Sequence, residues 1–547
     1  MLAIAPESEV QSTCDAGVVF TKPWVVELML DMAGYTTDKP LAKLVVVEPS
    51  AGEGAFLLGI IRRIVKSCQE HGIPLIEAAN AIRAYEIDPK SALTAKKAAY
   101  NQLIDLKVGH DNAVYLSDSW ILNEDFLEMS LGFPSADFVV GNPPYIRLEQ
   151  IPKKKMVMYR STYDTMTGRS DIYIAFYQAA LSMLRPYGVC AFICANRWFL
   201  NEYGKSLRRF ITNSFSVKYI LETHHVDAFE DEVSAYPAIT IISHEKQGGV
   251  VVGKALPGIE KAETEYIVKH LKSAESNNVI KVNHFKKWFK GKEPWPCPSP
   301  QALQLLNYLE EKFPTLESNK YNTIVGIGVA TGADKIFIKE IPPEIEKDRL
   351  LPLAMAADLN HGAVKWSGRY LVNPWDENGL VDINKYPKTR VYLEKYLPDL
   401  KNRHTVKKRP DSWHRTIDRV NLNLFTKPKL YIADIKGSLM PCLDLGVTYP
   451  HHNIYYITSD GCDLRVLGGL LISRIAEFFV HCYGVKMRGG YYRFQAQYLR
   501  KIRIPDIGSI SLKDQQSLIQ AFENQDRDLA DRICFKLYEI QEIPSIY

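Results

Sequence analysis

The chain is short of the residues that cross-link or metallate a protein. Its 9 cysteines are spread over 547 residues with no CxxC pair. The closest two, Cys190 and Cys194, fall in an apolar run that reads as a buried strand. That pattern excludes a disulfide framework and offers no sulfur-ligated zinc site. Among the 13 histidines, His224-His225 and His451-His452 come as adjacent pairs, not at ligand spacing on one helix, so no metal is expected. No apolar run approaches the ~18 residues of a membrane span. The start, MLAIAPESEV, lacks the basic residues and apolar core of a secretion signal, which makes the cytoplasm the expected location and leaves no membrane role. Internal repeats, low-complexity tracts and long heptad runs are also missing, which excludes solenoids and coiled coils.

What is there is the composition of a globular protein, with 46% hydrophobic and 24% charged residues. Length alone points to about two to four domains. Charge is placed unevenly. The net +4 divides into −6 for residues 1–245 and +10 for residues 246–547, which points to a polyanionic partner for the second half.

Residues 1–245 alternate apolar strands with amphipathic helical segments. LAKLVVVEP, AIRAYEIDP, SADFVVGNPP, GVCAFICAN, VKYILET and PAITIISHE read as strands, and IAFYQAALSMLRPYG (174–188) as a helix. The alternation predicts an α/β domain with a mostly parallel sheet, whose ligands bind beyond the carboxyl ends of the strands. Residues 246–300, rich in lysine, proline and tryptophan, read as a connecting segment or an embellishment. Residues 301–505 mix short strands, loops and a few helices, and residues 506–547 form a closing helical segment.

LVVVEPSAGEGAFL places Glu48 at the end of a strand, then Gly52 and Gly54 before a helix. Glycines there allow close approach of a ligand to the backbone. The dinucleotide fingerprint needs a third glycine, which is absent, and Glu48 would repel a pyrophosphate. A carboxylate suits the cationic amino-acid end of a ligand. The next strand ends in YEIDP, and Glu86 there matches an acceptor for ribose hydroxyls. VYLSDSW offers Asp118 at the third strand tip, placed to accept from an adenine amino group. Amino-acid end, ribose and adenine together describe S-adenosylmethionine. Each acid taken alone also fits a helix cap or a solvated turn.

With GVVFTKPWVVELML, GNPPY and FEDEVSAYPAITII in the same order, residues 17–245 resemble the Taq-type (gamma-class, NPPY) adenine-specific DNA methyltransferases, whose target-recognition domain follows the catalytic one. The resemblance implies a Rossmann-like S-adenosylmethionine-dependent methyltransferase domain with a mostly parallel seven-stranded sheet, followed by a mixed α+β target-recognition domain. It implies that Thr21, Glu48, Pro49, Gly52, Glu86, Asp118 and Asn142 bind cofactor. Ser50 and Glu53, in the glycine loop where the family varies most, take no role. Catalytic positions are Asn142, Pro143, Pro144 and Tyr145, with Phe229 as a second stacking aromatic. In this chemistry an adenine amino group is a poor nucleophile until both of its N–H groups are held by acceptors, which the Asn142 side chain and the Pro143 carbonyl would supply. The base must first leave the duplex, and aromatic stacking recovers part of that cost.

In the second half, TIVGIGVATGADKIFI, RYLVNPW, FTKPKLYIADIKG and YLRKIRIP resemble the Taq-like recognition domain. GVATGADK lacks the Gly-Lys-Ser/Thr ending of a phosphate loop and reads as a strand and turn. The most basic stretch, KNRHTVKKRPDSWHRTIDR, carries Lys407, Lys408, Arg409 and Arg415 beside Trp413, a mixture suited to phosphate and base contacts. Lys153, Lys154 and Lys155, just after the catalytic loop, are placed to hold the target strand. Double-stranded DNA is the expected partner, and a separately encoded restriction endonuclease is a second. The cofactor motifs begin at about residue 17, so no nuclease is expected in front of them. RNA adenine or protein glutamine methylation, and a non-catalytic DNA-specificity subunit, stay open as alternatives.

Overall fold

A computed structural model describes residues 20–546 apart from 131–134, 147–149, 225, 231–236, 290, 318–319, 408 and 485–490. The chain divides into two compact units, Met1–Pro300 and Gln301–Tyr547.

The first unit is built on a nine-stranded sheet. Its strands are β1 (Val46–Glu48), β2 (Ile82–Tyr85), β3 (Ile121–Leu122), β4 (Ala136–Gly141), β5 (Leu184–Ala195), β6 (Ser216–Glu222), β7 (Pro237–Ser243), β8 (Val250–Ala255) and β9 (Ile280–Phe285). They lie in the order β3-β2-β1-β4-β5-β7-β6-β8-β9. β1 to β5 run parallel, with Val46 opposite both Ile82 and Phe138. β7 is antiparallel to both β5 and β6. Order reverses at β1, and β1 and β4 bracket the crevice where ligands of such sheets bind.

Local chemistry fixes the helices that feed these strands. Helix α1 (Pro23–Ala33) begins on a proline and stops at Gly34 in the left-handed region, φ 74°. Helix α2 (Ala55–His71) follows the glycine loop after β1. Helix α3 (Pro89–Asp105) is capped by Asp88, which accepts from the Ser91 amide, again with proline in the first turn. Helix α4 (His110–Trp120) buries Ala113, Leu116, Ser117 and Trp120, and the Trp120 indole donates to the Ala78 carbonyl at 3.0 Å.

Two readings of the sequence need correcting here. Residues 246–300 are not a connection: β8 pairs with β6, β9 pairs with β8, and the segment sits wholly within the first unit. Its tryptophans are packed, with Trp295 5.3 Å from Trp198 and 5.8 Å from Trp288. Buried Arg208 donates to the Lys292 carbonyl and holds this stretch down. The helix expected over 174–188 spans only Tyr173–Ser182; Arg185, Pro186 and Tyr187 already belong to β5.

The second unit holds a six-stranded and a four-stranded sheet, with a helical layer. Gly468 and Gly469 lie in the helix Leu464–Leu471, against Phe522 and Leu518 of the helix Leu512–Asn524. A Cβ on Gly469 would stand 2.4 Å from the Leu518 carbonyl, so these two helices meet at a distance only glycine allows. The closing helices are therefore part of this unit's core. Among the described residues no single helix is long and apolar enough to cross a membrane.

Candidate active site

The parallel strands bring their carboxyl ends to one edge of the sheet. Glu48 ends β1, Glu86 follows β2, Asn123 follows β3 and Asn142 follows β4.

Glu48 is 1% exposed, and its Oε2 has no hydrogen-bond partner among the described residues. Burial and, secondarily, the neighbouring Glu86 push its carboxyl well above the usual carboxylate range, against the pull of the Leu57 and Phe56 amides. A buried acid in this state favours a cationic ligand group. Pro49 is buried beside it, with its ring against Gly141 at the end of β4, where a Cβ would come within 3.2 Å of Pro49 Cδ.

Glu86 works as a clamp. One carboxylate oxygen accepts from the Gly52 amide at 2.8 Å and the other from the Asp88 amide at 2.8 Å. Gly52 sits at φ +54° with open space where a Cβ would be. A carboxylate accepts about four hydrogen bonds, so Glu86 keeps capacity for ligand hydroxyls after holding both turns.

The loop after β4 is tied from two sides. Asn142 Nδ2 donates to Thr21 Oγ1 at 3.2 Å, and Ser50 Oγ donates to the Asn142 carbonyl at 2.9 Å. Thr21 forms an antiparallel bridge with Phe229, flanked by Lys22 N to Ala228 O at 3.1 Å and Glu230 N to Phe20 O at 2.9 Å. The Tyr145 ring lies 6.5 Å from Phe229 and 6.5 Å from Tyr173. Its hydroxyl is buried without a hydrogen-bond partner among the described residues, and burial pushes it well above the usual phenol range. Thr21, Asn142, Pro143, Pro144, Tyr145 and Phe229 thus form one wall. Phe229 is itself 4% exposed and meets Tyr145 edge-on at 81°, so in this geometry it packs against Tyr145 and presents no open stacking face.

Asp118 does not join this site. It lies on α4, before β3 and not after it, with an exposed side chain paired to Lys96 at 3.2 Å. The SDSW stretch continues the helical spacing that ends at Trp120, so the acid points away from the strand tips. Asn123 occupies the expected place: its amide donates to the Glu86 carbonyl at 2.8 Å and the Ile87 carbonyl at 3.2 Å. Asp125, two residues on, caps the next helical turn. Asn123 and Ser50 are the residues that sequence reasoning missed. The signal for Asn123 was the boundary between a 3.6-residue and a strand-like pattern at Trp120.

The three lysines after the loop differ. Lys153 and Lys154 are exposed, whereas Lys155 pairs with Asp125 and, at 3.5 Å, with Glu128. Lys155 is a structural contact and is not available as expected.

In the second unit the basic stretch folds into short helical turns. Lys407 and Arg409 are exposed; Lys408 lies outside the described residues. Arg403 turns inward, donating to the carbonyls of Leu400, Thr331 and Trp413. Trp413 is half-buried against the core, and Arg415 stacks over Trp375 at 5.6 Å while donating to the Thr416 carbonyl. These two shape the loop, correcting their reading as free contacts.

Fold and site define an α/β protein with acidic and amide side chains gathered at the carboxyl ends of its parallel strands, and comparison with known proteins gives the family. The profile of the Eco57I restriction-modification methylase family matches residues 79–229. The chain is 40% identical over 537 residues to the type II methyltransferase M.XhoI of Xanthomonas vasicola, covering 96% of this chain and 98% of that one. It is 41% identical over 529 residues to the type II methyltransferase M.PaeR7I of Pseudomonas aeruginosa, covering 95% and 91%. The structure of the type IIL restriction-modification enzyme MmeI in complex with DNA matches with a TM-score of 0.59 at 12% identity, over 95% of this chain and 73% of that one, a likeness of fold alone. The chain belongs to the type II restriction-modification methyltransferases.

Proposed function

We propose that the protein transfers a methyl group from S-adenosylmethionine to the N6 amino group of an adenine flipped out of double-stranded DNA. It would act in the cytoplasm as the modification enzyme of a restriction-modification system, alongside a separate nuclease. The observation that carries this reading is the convergence of Glu48, Glu86 and the Asn142–Tyr145 loop on one sheet edge. The relatives, type II methyltransferases over nearly the whole chain, support it.

The residues fit the cofactor. Glu48, buried with an unpartnered oxygen, would hold the cationic amino-acid end, Glu86 the ribose hydroxyls, and the backbone at Gly52 would lie close to the ligand. When bound, S-adenosylmethionine supplies the methyl group as a sulfonium electrophile. Asn142 and the Pro143 carbonyl then accept from the two N–H groups of the target amine and localise its lone pair. Thr21 holds the Asn142 amide nitrogen, so the amide oxygen faces the other way, as this role requires. Transfer would form the N–C bond as the sulfonium S–CH3 bond breaks, with the electron pair left on the thioether sulfur and the amine proton passing to solvent water. Tyr145 supports the flipped base, whose extrusion costs a few kcal/mol. Proximity and preorganised acceptors carry the rate, with no covalent enzyme intermediate. The exposed Lys407 and Arg409 of the second unit serve the phosphates of the duplex.

The test is methyl transfer from isotopically labelled cofactor to duplex DNA, with the product nucleoside identified by mass spectrometry and its sites mapped. N6-methyladenine at a single sequence is expected, and Asn142→Ala should lower the rate by roughly 10²- to 10³-fold with cofactor binding little changed. Label appearing only in RNA or on protein glutamine would replace the substrate. Cofactor binding that is absent altogether would mark a specificity subunit.

A further inference from the structure

In the second unit the adjacent pair His451 and His452 meets Asp334, more than a hundred residues earlier in the chain. His451 Nε2 lies 3.3 Å from Asp334 Oδ2 and 2.9 Å from His452 Nδ1, and the three ligand atoms all fall within 4.8 Å of one another. The strand-like pairing of Val329 with His451 brings the two loops together.

The proton positions make this cluster unusual. Asn453 Oδ1 lies 2.9 Å from His451 Nδ1, and an amide oxygen only accepts, so Nδ1 carries the hydrogen. In a neutral ring Nε2 is then a bare lone pair, and it faces the carboxylate of Asp334, another acceptor. His451 is 3% exposed, so an imidazolium there would lose most of its hydration. One hydrogen on His452 Nδ1 can satisfy Nε2 but does nothing for the carboxylate oxygen. Acceptors converging in this way are matched by a cation. Ligands of a tetrahedral zinc-class ion bound at about 2.0–2.1 Å stand roughly 3.3 Å apart, close to the spacing of Nε2 and Oδ2.

The surrounding contacts fit the same reading. Asn453 sets the His451 tautomer, and Thr331, fully buried, donates to the other oxygen of Asp334. Second contacts of this kind orient metal ligands. Asp334 and His452 also line a cavity of about 690 Å³, with Thr331, Lys335, Tyr396 and Ile417 on its other sides. Three protein ligands beside such a cavity leave a fourth coordination position open to solvent.

We propose that Asp334, His451 and His452 bind one divalent transition-metal ion of the zinc class in the second unit. Two imidazoles and one carboxylate favour zinc, cobalt or nickel over magnesium or calcium, which take oxygen ligands. The site stands apart from methyl transfer, and its test does not depend on that reading.

The experiment uses the untagged full-length chain, stripped with chelator and titrated with Co²⁺ as an optical probe, then with Zn²⁺ in competition. One equivalent of Co²⁺ should bind with the visible absorption of a four-coordinate ion and be displaced by Zn²⁺. His452→Ala and Asp334→Asn change exposed side chains and should leave the fold intact by circular dichroism. Each should weaken Co²⁺ binding by at least ~10-fold, the lower end of the loss seen when even a supporting contact is removed. Absence of binding by the unsubstituted chain would overturn the proposal and leave the cluster a hydrogen-bonded one. Binding that persists unchanged in both variants would place the ion elsewhere and overturn it equally.

Discussion

Thr21 and Asn142, 121 residues apart, are joined by a hydrogen bond of 3.2 Å from the Asn142 amide to the Thr21 hydroxyl. An amide free to rotate would offer nitrogen or oxygen to the target base with comparable ease. The threonine decides which end points where.

Thr21→Val should therefore lower the turnover number by about 10-fold, as expected for one net hydrogen bond of roughly 1.5 kcal/mol, with little effect on the melting temperature. Thr21→Ser should restore most of it. Steady-state kinetics on duplex substrate separate this from a cofactor-binding role: a change confined to the cofactor KM would sink the positioning argument.

Glu48 should make cofactor affinity depend on pH. Its folded carboxyl titrates well above 4.5, because burial and Glu86 disfavour the charge. A raised acid contributes stability that is fully present below its unfolded value and lost as pH rises through the folded one. The cofactor-free protein should thus lose stability as pH climbs above the ordinary carboxylate range, and a cationic ligand should restore it. Thermal melts with and without S-adenosylmethionine across pH should show a ligand-induced shift that grows with pH. Glu48→Gln should bind weakly and without that growth.

Replacing Glu86 with alanine removes the acceptor shared by the Gly52 and Asp88 amides and, under the proposed function, by the cofactor ribose. Cofactor binding should weaken by about 1.5–3 kcal/mol, the range for a hydrogen bond to a charged group. Equilibrium titration reads this directly, and an unchanged dissociation constant would reduce Glu86 to a turn-holding residue.

The basic stretch of the second unit should split by exposure. Neutralising Lys407 and Arg409 together should flatten the salt dependence of DNA binding by about 0.9 in logarithmic slope per lost phosphate contact. Arg403→Ala, by contrast, removes the donor to the Leu400 and Trp413 carbonyls, while Thr331 keeps the Ile417 amide, and should cost about 2 kcal/mol of stability. Denaturation curves and binding isotherms across a salt series would expose any exchange of these two effects.

The legible parts of the molecule were those whose signal is local. Buried parallel strands read as short apolar runs, and the Asn142-Pro143-Pro144 turn announces itself at the end of one. Asp118 shows where a local signal was present and misread: Ala113, Leu116, Ser117 and Trp120 repeat at helical spacing, so the acid between them belongs to a helix. Residues 246–300 were masked by composition, since lysine and proline around Trp295 hid the alternation of VVVGKA. The partnerships of Thr21 with Asn142 and of Asp334 with His451 have no local signature at all. They exist only because the sheet tips and loops are brought together by pairing remote in the chain.

The pairing of β8 against β6 also sets where the chain can be cut. A fragment ending at residue 245 would leave the seven residues of β6 as a bare edge, with backbone N–H and C=O groups open to any passing strand. It would also lose the Thr264 hydroxyl that donates to Asp31 on α1. Such an edge invites aggregation, and the smallest fragment that keeps the whole sheet runs to residue 300.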